Sequence, residues 1–163
     1  MKNRVRKIFM GLSILLFIFP VLVIADEKEA TDSTDQLYEK AYGLYNQSKY
    51  DEAIQIFEDI LKENPKHLKA QVYYGVSLMG KEDFDRAIQE LTKALALDEK
   101  FPLTHYALAV SFARKKSPDA QKAQEYLDRA KKSGYRVPSW FEQYVERLKT
   151  GKILPQKEEK QKQ

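Results

Sequence analysis

Lys49-Tyr50-Asp51-Glu52-Ala53-Ile54, followed by Phe57, is the stretch that decides the fold, because an equivalent stretch occurs 34 residues later. The second copy is Asp83-Phe84-Asp85-Arg86-Ala87-Ile88, followed by Leu91. Each copy contains an aromatic ring, then an alanine, then a large apolar residue at helical spacing. Self-similarity at this period is typical of stacked helix pairs, in which neighbouring units share one continuous core.

Apolar residues in the first unit, 34–67, and in the second, 68–101, recur at intervals of three and four residues, which is the helical period. The first helix of each unit carries a small residue at the equivalent position, Ala41 in one and Gly75 in the other. Small residues let two helices approach closely, and a bulky side chain there would overpack the pair. No stretch alternates polar and apolar residues over the length of a strand.

A third unit, 102–137, keeps the same phase but differs in its turn. The turn contains two extra residues around Lys115-Lys116-Ser117-Pro118, and the Ser-Pro pair in it predicts the start of the second helix. Gly134 predicts the end of that helix. The run Ser139-Trp140-Phe141-Glu142 is typical of a capping box and predicts a last helix within 138–150, which would cover the end of the array.

These small-residue positions and the aromatic ring that precedes each alanine make the chain resemble the tetratricopeptide repeat family. The resemblance implies an all-α, right-handed helical-repeat solenoid of about three helix pairs plus a C-terminal capping helix. It also implies a concave groove lined by the first helix of each unit. Mapped onto this chain, the partner-binding positions are Tyr38, Tyr42, Tyr45, Val72, Val76, Met79, Tyr106 and Val110.

The groove that these positions describe is apolar and rich in tyrosine. Relatives that clamp a terminal carboxylate use Lys, Asn and Arg at several of them, so a carboxylate clamp is not expected. Tyrosine rings bury a large area at a low entropic cost and keep a hydroxyl for backbone contacts. We therefore expect a protein or peptide partner that presents an apolar or amphipathic segment.

The N-terminus has the pattern of an export signal. Basic residues precede an apolar stretch, 8–25, and compact residues lead to a cleavage point between Ala25 and Asp26. An uncleaved anchor is the alternative reading of residues 1–25, and membrane association is expected only in that case. Both readings place the rest of the chain in the periplasm or at the cell surface. Residues 26–33 are a predicted linker, and residues 151–163 a predicted disordered tail.

Catalytic chemistry finds no support in the sequence. The chain has no cysteine, which excludes thiol chemistry and Cys-based metal sites. His67 and His105 lack neighbours at the spacing of metal ligands, and neither a nucleophile elbow nor a phosphate loop is present. The sequence therefore predicts no enzyme, no metal and no cofactor.

The charge is unevenly distributed along the chain. Residues 26–113 contain 10 basic and 17 acidic residues, whereas 114–163 contain 14 and 7. The predicted function is a non-enzymatic adaptor of the bacterial envelope, and nucleic acid is not an expected partner of an exported chain. The alternative is a self-assembling scaffold, anchored or free, whose copies associate through ends of opposite charge.

Overall fold

The computed structural model describes residues 33–152. The signal segment, the Ala25–Asp26 cleavage point, residues 26–32 of the linker and residues 153–163 of the tail lie outside the described residues. Contacts divide the chain into two units, Met1–Leu37 and Tyr38–Gln163. Of the first unit the structure describes residues 33–37, which are helical. The architecture below is that of the second unit.

All regular secondary structure between residues 33 and 152 is helical. The first helix, α1, covers residues 33–46, of which those from Tyr38 onward belong to the second unit. The others are α2 Tyr50–Glu63, α3 Leu68–Gly80, α4 Phe84–Leu97, α5 Pro102–Arg114, α6 Ala120–Lys132 and α7 Ser139–Lys149. The prediction of an all-α helical-repeat solenoid is confirmed.

The helices form two layers. Tyr73 of α3 contacts the tyrosines of α1, α3 contacts α5, and Tyr144 of α7 donates a hydrogen bond to the Ala113 carbonyl of α5 at 3.2 Å. The first helices of successive units are therefore neighbours. The second helices, α2, α4 and α6, each pack against the first helix of their own unit or of the next, and Arg86 of α4 reaches Glu58 of α2 at 3.9 Å.

Small residues hold the two helices of each unit together. Ala41, Ala53 and Ala87 are completely buried. At Gly75 a Cβ atom would lie only 2.6 Å from Cγ of Leu91 and 2.8 Å from its Cδ2. Since carbon atoms pack at about 3.5 to 4.0 Å, the α3–α4 contact leaves no room for a side chain at this position.

The turn between the two helices is repeated at the same period as the sequence. Lys49 N donates to the Leu44 carbonyl, and Asp83 N donates to the Leu78 carbonyl, both at 3.0 Å. The residue before each donor, Ser48 or Glu82, has a positive φ, 59° and 61°. The backbone of the turn is therefore the same in both units, although neither carries glycine at the left-handed position.

The third turn absorbs its two extra residues without changing the bond that closes it. Asp119 N donates to the Phe112 carbonyl at 2.9 Å, and these two residues occupy the places of Asp83 and Leu78 in the second unit. The insertion lies inside the closed turn. The helices on either side therefore keep their pairing, α5 against α6.

Two helix starts differ from the prediction. The helix expected to begin at Ser117-Pro118 begins at Ala120, because the closing bond holds Asp119 at the cap, where its carboxylate accepts from Lys122 N at 2.9 Å. The capping box at Ser139 does not form. Ser139 is already helical, and Pro138 precedes it as an N-cap without a side-chain hydrogen bond, its φ of −66° and ψ of 135° setting an extended entry. Gly134 ends α6 as predicted, with φ of 89°.

Candidate binding face

Three tyrosines form a stripe along α1, and a fourth from α3 packs across them. Tyr38, Tyr42 and Tyr45 are spaced by four and three residues, so their rings lie on one face of the helix. Their centroids are 6.0 Å apart from Tyr38 to Tyr42 and 6.1 Å apart from Tyr42 to Tyr45. The Tyr73 ring meets all three edge-on, at 6.1, 4.8 and 5.5 Å. Edge-to-face pairs of this kind favour a fixed arrangement of rings.

Tyr38 is the structural member of this cluster. It is only 8% exposed, and its ring contacts Phe57 of α2 at 6.1 Å and His67 at 5.5 Å. Burial, with smaller effects of Glu39 and Tyr42, raises the pKa of the Tyr38 phenol to about 12. Tyr38 therefore joins α1 to the core and offers a partner little surface.

The other predicted partner-binding positions divide by exposure. Val72 is completely buried, while Val76 and Val110 are 8% and 7% exposed. Tyr42, Tyr45, Met79 and Tyr106 are half-buried. The surface that a partner can reach is therefore supplied by the tyrosines and Met79, with the valines as packing beneath them. Contact of any of these residues with a partner stays a prediction.

Two tyrosines that the repeat positions did not single out belong to the same surface. Tyr73 directly follows Val72, and its ring reaches the gap between α1 and α3. Tyr135 lies in the turn after α6, where its ring stacks on Tyr106 with centroids 4.5 Å apart. We call the half-buried rings of Tyr42, Tyr45, Tyr73, Tyr106 and Tyr135 the tyrosine face. In the sequence, Tyr73 could have been found as an aromatic residue next to the mapped position Val72. Tyr135 could have been found as an aromatic residue in a turn.

The tyrosine face is uncharged at neutral pH. Burial is the first cause of the raised pKa of Tyr45, Tyr73, Tyr106 and Tyr135. A hydrogen bond with Tyr42 contributes further to Tyr73. Because these four phenols have pKa values above the ordinary value near 10, they stay protonated at neutral pH.

Hydrogen bonds between polar and charged side chains join α3 to the second helices on either side of it, α2 and α4. Tyr74 donates to Glu58 at 2.6 Å and accepts from Arg86 at 3.1 Å. Gln71 donates to the Glu90 carboxylate at 2.9 Å. These bonds pair α3 with α2 and α4, so the polar side chains act as connectors between units.

Both histidines have structural contacts. Nδ1 of His67 accepts a hydrogen bond from Ala70 N at 3.1 Å, which caps α3, and Nε2 of His105 lies 2.6 Å from the Glu99 carbonyl. Within residues 33–152 no group of three His, Cys, Asp or Glu side chains is arranged to hold a metal ion. None of the helices described in that range is long and apolar enough to span a bilayer.

Solved structures with the same arrangement of helices include a type III secretion chaperone. SycD of Yersinia enterocolitica, in complex with a peptide of the translocator YopD, superposes with a TM-score of 0.65 at 20% identity, over 75% of this chain and 96% of SycD. The TPR2B domain of yeast Sti1, in a complex with Hsp70, gives 0.62 at 17% identity, over 72% of this chain and 97% of the domain. At these identities the likeness shows the fold. No curated protein matches the chain in sequence.

A family model supports the same assignment from the sequence. The tetratricopeptide repeat model matches residues 44–110, which run from the last turn of α1 to the middle of α5. This stretch includes both copies of the repeated sequence and both identical turns. The helix pairs, the small residues between them and the solved structures with the same fold agree with this match. Residues 44–110 therefore match the tetratricopeptide repeat family, and the helices described around them have the same repeat fold.

Proposed function

We propose that this protein is a non-enzymatic adaptor whose tyrosine face binds an apolar or amphipathic segment of another protein. The observation that carries the proposal is the tyrosine face itself, five half-buried and uncharged rings supplied by α1, α3, α5 and the turn after α6. Complexes of similar folds support it, since SycD is seen with a YopD peptide and the Sti1 domain with Hsp70.

The physical basis is the apolar area that the rings leave in contact with water. A partner that covers them gains the hydrophobic free energy of that area. The rings cost little entropy to hold, because Tyr42, Tyr45 and Tyr73 already constrain one another. A charged partner residue would lose part of its hydration against these rings, so the site favours uncharged segments.

We further propose that the adaptor acts in the bacterial envelope, in the periplasm or at the cell surface. The support is the N-terminal sequence, a basic segment followed by an apolar stretch that ends at Ala25. Fusing residues 1–32 to a reporter that is active only outside the cytoplasm tests this directly. Activity that persists when Lys2, Arg4, Arg6 and Lys7 are replaced by Glu would count against a signal of this type.

A second candidate function is a self-assembling scaffold, favoured by the unequal charge of the two halves. The basic helix α6 counts against a scaffold, because its positive charge is partly neutralised. Arg129 pairs with Glu125 at 2.7 Å, and Lys131 pairs with Glu142 at 2.6 Å, so part of its charge is used within the chain. A scaffold would show a mass that rises with concentration and falls with salt in light scattering. An adaptor would stay monomeric until its partner is added.

The adaptor is tested by site-specific photo-crosslinking in cells. A crosslinker at Tyr42 or Tyr45 is expected to capture a distinct protein, whereas one at Gln89, which is exposed on α4 in the other layer, is not. The captured protein is then purified, and its affinity is measured for the wild type and for Tyr42→Ala. Equal capture at Gln89, or unchanged affinity of a folded Tyr42→Ala variant, would refute the proposal.

A further inference from the structure

Trp140 is exposed on the outer surface of α7. Its side chain is 64% exposed, more than that of any other large apolar residue between residues 33 and 152. It is also the only tryptophan of the chain. The ring meets that of Phe141 edge-on, with centroids 5.6 Å apart, and Phe141 is buried. A core residue therefore supports the indole while leaving most of it in contact with water.

Trp140 lies on the side of α7 that a further unit of the repeat would cover. When the two extra residues of the third turn are allowed for, its equivalents are Ala70 in α3 and Thr104 in α5. Both are completely buried. Small residues at this position let successive units approach closely, whereas an indole would hold another helix away.

The same change occurs two turns further along the helix. Arg147 is exposed, although its equivalents, Ser77 and Ser111, are completely buried. Trp140 and Arg147 are seven residues, or about 10 Å, apart on one side of α7, with the exposed Gln143 between them. We call these three residues the end face. A second copy stacked as a further unit could not pack there as closely as the units of this chain pack on one another.

The charge around the end face is positive and largely unpaired. Residues 130–152 contain six basic and two acidic residues. Both acidic residues are in ion pairs, Glu142 with Lys131 at 2.6 Å and Glu146 with Lys149 at 3.0 Å. The basic side chains that are exposed and form no ion pair within the described part of the chain are Lys132, Arg136, Arg147 and Lys152. This end of the molecule therefore attracts anions.

Three of these cations are close to Trp140 in the chain. Arg136 precedes it by four residues, which span at most about 14 Å of extended backbone, and Arg147 follows it at about 10 Å along the helix. Lys132 is the last residue of α6, which packs against α7. The indole thus lies among exposed basic groups.

An indole among basic side chains is suited to the surface of an anionic bilayer. Tryptophan is enriched at the membrane interface, where its ring contacts lipid and its N–H stays hydrated, and basic groups are attracted to anionic headgroups. A folded protein partner would instead need packed neighbours around the indole to exclude water. Ser139 and Gln143, which are adjacent on α7, are polar and exposed.

We propose that the end face, together with Arg136, binds the surface of a membrane that contains anionic phospholipids. The indole of Trp140 enters the interface, and the guanidinium groups of Arg136 and Arg147 pair with lipid phosphates. The inference goes beyond the adaptor function and uses no residue of the tyrosine face. It would hold the protein at a membrane without any contribution from residues 1–25.

The test uses the fluorescence of the single tryptophan. The full chain is titrated with vesicles that contain phosphatidylglycerol and phosphatidylcholine in equal parts, and separately with vesicles of pure phosphatidylcholine. Only the anionic vesicles are expected to move the emission to shorter wavelength, and brominated acyl chains in them should quench it. Because the signal arises at Trp140, lipid bound by residues 1–25 does not by itself produce it.

Two charge-matched double variants sharpen the test. Combining Arg136→Gln with Arg147→Gln should weaken binding to the anionic vesicles by about 5-fold for each residue, or roughly 30-fold together. Combining Lys40→Gln with Lys66→Gln removes the same charge from exposed positions in the first unit. At physiological salt, distant charges are screened, so this control should keep the affinity within about 2-fold.

Each contrary outcome is distinct. Unchanged emission with anionic vesicles, an equal change with both kinds of vesicle, or equal binding by the two double variants would overturn the proposal. Emission that is already at short wavelength without lipid would also overturn it. Light scattering would then assign the cover of Trp140 to a second copy, if the mass rises with concentration, or to another segment of the same chain, if it does not. None of these results would bear on the adaptor, which is tested at the tyrosine face.

Discussion

Replacing Gly75 by alanine tests the packing of α3 against α4 at its closest point. The new methyl group would lie 2.6 and 2.8 Å from side-chain atoms of Leu91 and 3.4 Å from its backbone nitrogen. Leu91 is completely buried, so its side chain can yield only by disturbing its other neighbours. Gly43 offers the matched control, because it lies inside α1 and a Cβ there would meet nothing within 4 Å.

The two substitutions share one energetic effect and differ in the other. Alanine is better than glycine inside a helix by about 1 kcal/mol, so Gly43→Ala should stabilise the protein by up to that amount. At Gly75 the same gain is opposed by overpacking, which costs about 1 to 3 kcal/mol. Gly75→Ala should therefore change the free energy of unfolding by between zero and roughly 2 kcal/mol in the destabilising direction.

The measurement is the difference between the two variants, which removes the helix propensity that they share. It should amount to about 1 to 3 kcal/mol in urea unfolding with equal m-values, or roughly 4 to 12 °C in melting temperature for a domain of this size. The Gly75→Ala, Leu91→Ala double variant should lose less stability than the sum of the two single losses, since the added methyl then enters the space that Leu91 vacates. Gly75→Leu should be worse than Gly75→Ala.

A Gly75→Ala variant that is stabilised as much as Gly43→Ala would contradict the close packing of α3 against α4. Such a result would mean that Leu91 has space to move away from the helix pair. Additive losses in the Gly75→Ala, Leu91→Ala double variant would point the same way, because they would show that the two side chains do not share a boundary.

For three other perturbations, individual residues determine whether the protein is stabilised or destabilised. The phenols of Tyr38 and Tyr74 have pKa values of about 12 in the folded protein and near 10 when unfolded. Their contribution is thus complete below pH 10 and falls by about 1.4 kcal/mol per pH unit for each phenol up to pH 12. Urea unfolding between pH 9 and 12 measures this, and a stability that is flat over the range would contradict it. Ser48→Gly should stabilise the protein by about 1 kcal/mol, because Ser48 has a φ of 59°; a lower melting temperature would count against strain in that turn. Asp119→Ala should cost about 1 kcal/mol through the lost cap of α6, with Asp119→Asn retaining most of the stability, and equal melting of Asp119→Ala and wild type would exclude the cap as a stabilising contact.

The fold could be predicted because helical repeats place their information in short-range spacing. The similar stretches around Ala53 and Ala87 gave the repeat period of 34 residues. The period in turn predicts which residues lie between the helices. Gly75 was predicted as a contact point from its position alone, and the structure shows no room there for a Cβ. The two-residue slip in the third unit was also visible, since the apolar pattern resumes after it.

The candidate site was harder to predict, because it depends on how side chains from different helices share space. A repeat position says which face a residue occupies and leaves open how much a neighbour covers. Val72 has its predicted place and is nevertheless completely buried. Tyr73 contacts the tyrosines of the preceding unit, and Tyr135 reaches Tyr106 from a turn outside the helices, so helical spacing within a unit reveals neither contact. The start of α7 at Ser139 followed from the backbone of Pro138, which a side-chain pattern does not capture.

The closing bond of the third turn has a consequence for engineering this protein. Asp119 N reaches the Phe112 carbonyl although two more residues intervene than between Asp83 and Leu78. The loop can thus change in length while the hydrogen bond that closes it, and the pairing of α5 with α6, are kept. A labelling peptide or a fluorescent amino acid inserted next to Lys116, which is exposed, should report on the protein without moving its helices. Length variation between repeats can be accommodated at the same position, inside the turn that this hydrogen bond closes.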